Sequence, residues 1–316
     1  MSASQHFVFL LVENFSHIAF SCAIEPLRIA NLLSGEELYQ WSLVSENGET
    51  ASCSNGTVTL VDHGFDAIPA NDRIYILSGI DVQHQGSAAL KRCLRQQQRM
   101  RSPMGALCSA AYLLAELGCL DGRKAAIHWE FHDSFMEQFP EVNLVRNVFV
   151  ADEPIITASG GTATADLMLN LISDQHSAEL ATAVADQMVY YSVRDASVDQ
   201  LVGLHSRQVG RNPHLNKAIQ KMMDSIEAPV STTTIADDIG ISKRQLERLF
   251  GRYLNCSPKR YFLEMRVNRA RNLIMQTEMS VTQVAVACGF ESIQHFSKVY
   301  KAAFGIAPSK HQSSLL

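Results

Sequence analysis

A cysteine and a histidine twenty positions apart, Cys108 and His128, are the pair in this chain best suited to covalent chemistry. Cys108 stands where the apolar run 104–107 turns into Ser109-Ala110-Ala111-Tyr112, a corner between a strand and a helix. There the helix dipole is expected to lower the thiol pKa, and backbone N–H groups form an anion hole. A histidine in reach could act as base for nucleophilic attack, although such a pair also needs an orienting partner. A ligand-contacting pair and a satisfied pair of core residues are the competing readings. Several aromatic and acidic residues are further candidates near the corner. These are Phe15, Phe20, Tyr112 and Trp129, with Glu25 and Glu130. Gly79, closing Leu77-Ser78-Gly79, marks a second strand end. Ser159-Gly160-Gly161-Thr162 either offers backbone N–H groups to a carboxylate or forms a tight turn capped by Thr162.

A second chemistry is written twice near the end of the chain. Ile235-Ala236-Asp237-Asp238-Ile239-Gly240-Ile241-Ser242 continues through Leu246, Phe250 and Pro258. Val284-Ala285-Val286-Ala287-Cys288-Gly289-Phe290 continues through Phe296, Tyr300 and Pro308. The glycines are 49 positions apart and the prolines 50. An apolar helix, a glycine at its end and a second helix starting shortly after is the helix-turn-helix pattern, and two copies in register specify it far better than one. Ser242 is suited to cap the first recognition helix, and Ser292 or Glu291 the second. Core residues at helical spacing leave Lys243, Arg244, Glu247, Arg248 and Arg252 outside on the first helix. On the second they leave Gln294, His295, Lys298 and Lys301. Side chains of these types read base edges in a major groove. The expected contacts with double-stranded DNA are Ser242, Lys243, Arg244, Glu247, Arg248, Ser292, Gln294, His295 and Lys298.

Charge separates in the same sense. Residues 212–316 hold 14 Lys and Arg against 8 Asp and Glu, whereas residues 1–211 hold 13 against 24. The basic end suits phosphate, and the acidic remainder should resist nonspecific contact with DNA.

Two resemblances follow. Residues 215–312, with the long helix 258–275 joining the two units, resemble the AraC/XylS family of transcription regulators. The resemblance is carried most specifically by Ser280-Val281-Thr282-Gln283-Val284-Ala285-Val286-Ala287-Cys288-Gly289-Phe290 and Phe304-Gly305-Ile306-Ala307-Pro308. It implies recognition helices entering successive major grooves. Residues 6–175 resemble the ThiJ/PfpI branch of the class I glutamine-amidotransferase-like superfamily, in which Cys108 and His128 match the nucleophile and base. Two departures count against catalysis. Ala110 replaces the usual glycine, and Ala19 and Phe20 stand where the first helix often carries an acid. Together the two halves resemble GlxA-type regulators. Ala23-Ile24-Glu25-Pro26-Leu27-Arg28, His128-Trp129-Glu130 and Ala158-Ser159-Gly160-Gly161-Thr162-Ala163 are similar to the subgroup responding to glycine betaine, carnitine or arginine. That similarity implies a small nitrogenous, cationic effector, and the residues permit it: the aromatic residues near the corner could hold a quaternary ammonium group, and Glu25 or Glu130 could neutralise it.

The elements that must position these residues read as alternating strands and helices. Strands are expected at 7–12, 41–45, 73–77, 104–107 and 154–158, and helices at 18–33, 83–100, 109–117, 130–139, 162–173 and 178–192. The alternation predicts a parallel sheet covered on both faces, with ligands beyond the strands' carboxyl ends. The fold class is therefore α/β: a flavodoxin-like, ThiJ/PfpI-type domain at 1–194, a linker at 195–211, and an all-α domain with two tandem helix-turn-helix units at 212–316. The expected effector contacts are Phe15, Glu25, Gly79, Cys108, Tyr112, His128, Trp129 and Glu130. No apolar run is long enough to span a bilayer, and the apolar start lacks a basic region or cleavage site. Seven scattered cysteines without CxxC spacing argue against zinc and fit a reducing cytoplasm. The expectation is a non-enzymatic, cofactor-free DNA-binding regulator, homodimeric through helix 178–192, with a small-molecule effector and RNA polymerase as further partners. The alternative is an amidase- or glyoxalase-type cysteine enzyme carrying an accessory DNA-binding domain.

Overall fold

The computed structural model describes residues 4–68, 73–198, 200 and 212–313. Two compact units meet in sequence between Gln200 and Leu201.

The first unit runs β1 (Gln5–Leu11), α1 (His17–Ser34), β2 (Tyr39–Ser45), β3 (Thr50–Ser52), β4 (Val58–Leu60), β5 (His63–Gly64), β6 (Arg73–Leu77) and α2 (Ala88–Met100). It continues through β7 (Met104–Leu107), α3 (Ala111–Ala115), β8 (Lys124–Ala125), α4 (His132–Gln138), β9 (Asn143–Leu144), β10 (Phe149–Val150), β11 (Ile155–Ala158), α5 (Ala163–Gln175) and α6 (Ala178–Gln187). The main sheet has the order β10-β11-β7-β6-β1-β2-β5. Its strands are parallel except where β10 lies antiparallel to β11. Strands β1, β6, β7 and β11 are apolar along most of their length, as burial on both faces requires. Successive side chains then alternate between two cores. Phe7, Phe9, Tyr75 and Leu77 pack with α1, α5 and α6. Val8, Leu10, Ile74 and Ile76 pack on the other face with α2, α3 and α4. The chain steps from β1 to β2 on one side and to β6 on the other. The switch point therefore lies at the carboxyl ends of β1 and β6, where such sheets bind ligands.

Several expected helices are shorter than the apolar pattern suggested. The helix expected from 83 begins at Ala88, because the Ser87 hydroxyl accepts from Leu90 N at 3.0 Å and fixes the cap. The stretch expected helical from 109 forms only α3. The one expected from 130 splits into a 3-10 turn, Trp129–Phe131, followed by α4. The helix expected to 192 stops at Gln187, and Val189 takes a left-handed φ of 55°. Beyond that point Tyr190 and Arg194 are drawn to Asp166. The short strands β3, β4, β5, β8, β9 and β10 carry no periodic signal of useful length.

The second unit runs α7 (Pro213–Asp224), α8 (Thr232–Asp238), α9 (Lys243–Leu254), α10 (Pro258–Gln276), α11 (Val281–Ala287), α12 (Ile293–Phe304) and α13 (Pro308–Ser313). Leu246 and Phe250 anchor one core, Phe296 and Tyr300 the other, and α10 contributes to both. One turn of α10 also joins the two halves. The Arg269 guanidinium donates to Glu227 in the loop after α7 at 3.0 Å. Arg266 donates to the carbonyls of Cys288 and Gly289 and lies 4.1 Å from the centre of the Phe290 ring. Of the linker expected at 195–211, residues 199 and 201–211 lie outside the described residues.

Candidate functional site

Cys108 sits at the end of β7 with a left-handed φ of 67°, a conformation disfavoured for any residue with a Cβ. Surrounding contacts hold it there. Its N–H donates to Ala158 O at 3.0 Å, and its carbonyl accepts from His128 N at 3.2 Å. Gly160 presses against it: a Cβ at position 160 would lie 2.6 Å from the Cys108 Cβ. Cys108 is 8% exposed, and its thiol faces the Ser109 N–H and the Ser16 hydroxyl. Burial outweighs both contacts and pushes it up to about 11. The sequence-based expectation of a lowered thiol is thus reversed, since a five-residue α3 and two donors do not offset the loss of solvent.

His128 does not complete a nucleophile–base pair here. Its Nδ1 accepts from Glu130 N at 3.4 Å and caps the 3-10 turn that it precedes. Burial holds the imidazole below its usual value, with the Glu130 carboxylate opposing. Its link to Cys108 is the backbone bond above. Trp129 stacks obliquely beside it, 5.4 Å between ring centres, and remains 42% exposed. The Glu130 carboxylate is half-exposed and close enough to the thiol to push its pKa up.

Other expected effector residues divide into two groups. Phe15 is fully buried, bridges to Gly79 and Cys53 at the switch point, and packs edge-on against Phe20 at 5.5 Å. Gly79 is required by close approach, since a Cβ there would meet Asn14 O at 2.2 Å. Ser109 Oγ donates to the Gly79 carbonyl at 2.6 Å, joining this strand end to the elbow. Glu25 lies two turns into α1 and is engaged by Arg28 at 2.7 Å. Tyr112 points into the core, with its ring 4.9 Å from Phe139 and its hydroxyl donating to Gln138. The structure therefore gathers Phe15, Gly79, Cys108, His128, Trp129 and Glu130 at one sheet edge, and leaves Glu25 and Tyr112 apart from it.

Two features escaped the sequence reading. Ser16, which caps α1, lies close enough to the thiol to draw its pKa down against burial. Asp166, fully buried in α5, accepts from Tyr190 Oη at 2.9 Å, from Arg194 N at 2.9 Å and from Arg194 Nη2 at 2.6 Å. Arg194 also donates to Thr162 Oγ1 at 2.8 Å, so that hydroxyl serves Arg194 and does not cap α5 as one sequence reading had it. A lone acid in the apolar run 163–172 was the available signal, because a buried charge demands a partner.

In the second unit Gly240 and Gly289 are left-handed, at φ 74° and 71°, between the two helices of each motif. Ser242 and Gln245 form a reciprocal capping box at the start of α9, and Ser292 accepts from His295 N at 3.3 Å at the start of α12. Lys243, Arg244, Glu247 and Arg248 are all exposed, as are Gln294, His295 and Lys298. Among the described residues no carboxylate is paired with Lys243, Arg244 or Arg248. No helix among them is long and apolar enough to cross a membrane. Among the described residues no group of three or more His, Cys, Asp or Glu is placed to hold a metal.

An α/β domain with a ligand-type sheet edge, followed by two exposed recognition helices, defines a DNA-binding transcription regulator. Residues 6–174 match the DJ-1/PfpI family and residues 235–314 a helix-turn-helix domain. The HTH-type transcriptional regulator GbdR of Pseudomonas aeruginosa is 40% identical over 300 residues, covering 95% of this chain and 82% of that protein. CdhR of the same species, also an HTH-type transcriptional regulator, is 37% identical over 312 residues, covering 99% and 93%. The crystal structure of an AraC family transcriptional regulator from Pseudomonas putida matches the fold, with TM-score 0.51, 23% identity, and coverage of 58% of this chain and 99% of that one. The chain belongs to the family of HTH-type transcriptional regulators that join a DJ-1/PfpI domain to an AraC-type helix-turn-helix domain.

Proposed function

We propose that a small cationic metabolite, of the betaine, carnitine or basic amino-acid class, binds beside Cys108 and controls DNA reading, and that the first unit is a sensor and not an enzyme. The observation that carries this reading is Trp129. A large aromatic face stays 42% exposed one residue before the half-exposed Glu130, on a turn bonded to the elbow. That pairing suits a quaternary ammonium or guanidinium group. The buried, protonated thiol and the committed His128 Nδ1 argue against nucleophilic turnover. On this reading the regulator works as a cytoplasmic homodimer on repeated half-sites, with RNA polymerase as a further partner.

Calorimetric titration with glycine betaine, carnitine and arginine tests the site. Trp129→Ala should weaken binding of the quaternary probes by about 0.5–2 kcal/mol. Unchanged affinity in a folded variant rejects the cage. Cys108→Ser should keep operator binding. Because the thiol stays protonated until the pH approaches about 11, iodoacetamide at pH 8 should alkylate Cys108 more slowly than free cysteine. Turnover of a probe by wild type and its loss in Cys108→Ser would restore the enzyme reading.

A further inference from the structure

The chain leaves the first unit through residues 188–200, and this exit segment is tied to both loops that bear on Cys108. The first tie begins at the elbow carbonyl, which accepts from His128 N at 3.2 Å. The residue before, Ile127, offers its own carbonyl to Gln200, whose Nε2 donates to it at 2.9 Å. The second tie begins at Gly160, which has no room for a Cβ against Cys108. Two residues on, Thr162 Oγ1 accepts from Arg194 at 2.8 Å. Arg194 is itself locked to the buried Asp166 through both its backbone N–H and its guanidinium. Between the ties the segment is stitched to the sheet edge: Val148 N donates to Val198 O at 2.8 Å, and Gln200 N to Arg146 O at 2.7 Å. In sequence, Gln200 is followed directly by the residues that lead to the DNA-reading unit.

We propose that this exit segment transmits the state of the Cys108 elbow to the departing chain, with Gln200 and Thr162 as positioning residues. The inference rests on the reading that the effector binds at the elbow. An occupant there bears on the His128 and Gly160 loops. Each loop meets the exit segment through a directional side-chain hydrogen bond, and such bonds weaken steeply once distance or angle is lost. An effector that favours one loop arrangement over another therefore favours one attachment of the exit segment, as linkage requires.

The test is a coupling cycle read by operator affinity of the full-length protein, using an operator selected from random duplexes. Cys108→Met, whose larger side chain presses on Gly160, stands in for an occupant, and Gly160→Ala is a second lesion at the same contact. Each is measured alone and together with Thr162→Val, Gln200→Ala, which cuts both ties and leaves Asp166–Arg194 intact. The elbow lesions should shift the operator Kd at least about fivefold in the tied protein and less than about twofold in the untied one, with circular dichroism unchanged. Equal shifts in both backgrounds, or no shift in the tied protein, overturn the proposal. Should both lesions prevent folding, hydrogen exchange decides: Gln200→Ala must speed exchange of the His128 amide about tenfold, and unchanged exchange overturns it. Calorimetry with glycine betaine, carnitine and arginine keeps the two readings distinct. If none of them binds while the elbow lesions still shift operator affinity, the effector assignment falls and transmission stands.

Discussion

Gly240 and Gly289 occupy equivalent turns of the two helix-turn-helix units and share nearly the same backbone, at φ 74° and 71°. Their surroundings differ. A Cβ at Gly240 would meet nothing within 4 Å, whereas one at Gly289 would lie 2.4 Å from Ile226 O and 2.6 Å from Pro229 Cγ. The first glycine serves only the left-handed turn. The second also seats its unit against the loop after α7 in the other half. The recognition helices diverge as well. α9 presents Lys243, Arg244, Glu247 and Arg248, while α12 presents Gln294, His295 and Lys298 with a single formal charge. The repeated positions are those that make the turn and fill the core. The positions that differ are the exposed ones on α9 and α12 and those that seat one half on the other, so one motif can be spent on two tasks.

The largest expected effect separates the two turns. Residues 212–316 expressed alone should fold, because they contain both of the unit's cores. In that fragment Gly240→Ala should cost about 1 kcal/mol for the left-handed backbone alone. Gly289→Ala should cost on the order of 3 kcal/mol, because its Cβ meets a carbonyl that cannot swing away. Urea unfolding measures both, and equal costs would erase the distinction. The next effect separates the two reading faces. Arg244→Ala should weaken operator binding by about 1–3 kcal/mol and relax preference at one position if it reads a base. Lys298→Ala should act more evenly across sequences and reduce the salt slope by about 1 if it meets phosphate. Full operator affinity in the double variant would remove both faces from the interface. The smallest effect concerns helix ends. α9 ends on Asn255 at φ 52°, whereas α12 ends on Gly305 at φ 74°. Asn255→Gly should stabilise the fragment by a few tenths of a kcal/mol, and Gly305→Asn should destabilise it by a similar amount.

Local patterns located what local patterns control. The strands Arg73–Leu77 and Met104–Leu107 end where their apolar runs end, and both motif glycines fall at left-handed turns. The exposed faces of α9 and α12 follow from helical spacing around Leu246, Phe250, Phe296 and Tyr300. The elbow was found by the same logic, but its chemistry was not. The thiol pKa is set by burial, Gly160 packs against Cys108 from fifty-two residues away, and the hydroxyl that opposes burial belongs to Ser16 just before α1. Asp166 and Arg194 meet across 28 positions, and the helix expected to 192 yields to that ion pair after Gln187. Propensity carries no information about a contact made only once the sheet has closed. The aromatic residues near the elbow were alike as letters. Packing then separated Tyr112, buried in the core, from the half-exposed Trp129.

The joint made by Gly289, Arg266 and Arg269 has a consequence for the DNA. With the two halves seated on one another, α9 and α12 are expected to act as a single template. Adjustment on docking must then come from the duplex, at the base pairs between the two contacted stretches. Those steps should show sequence preference without being touched, set by how readily they roll and twist. Operators with the same contacted bases but stiffer intervening steps should bind more weakly.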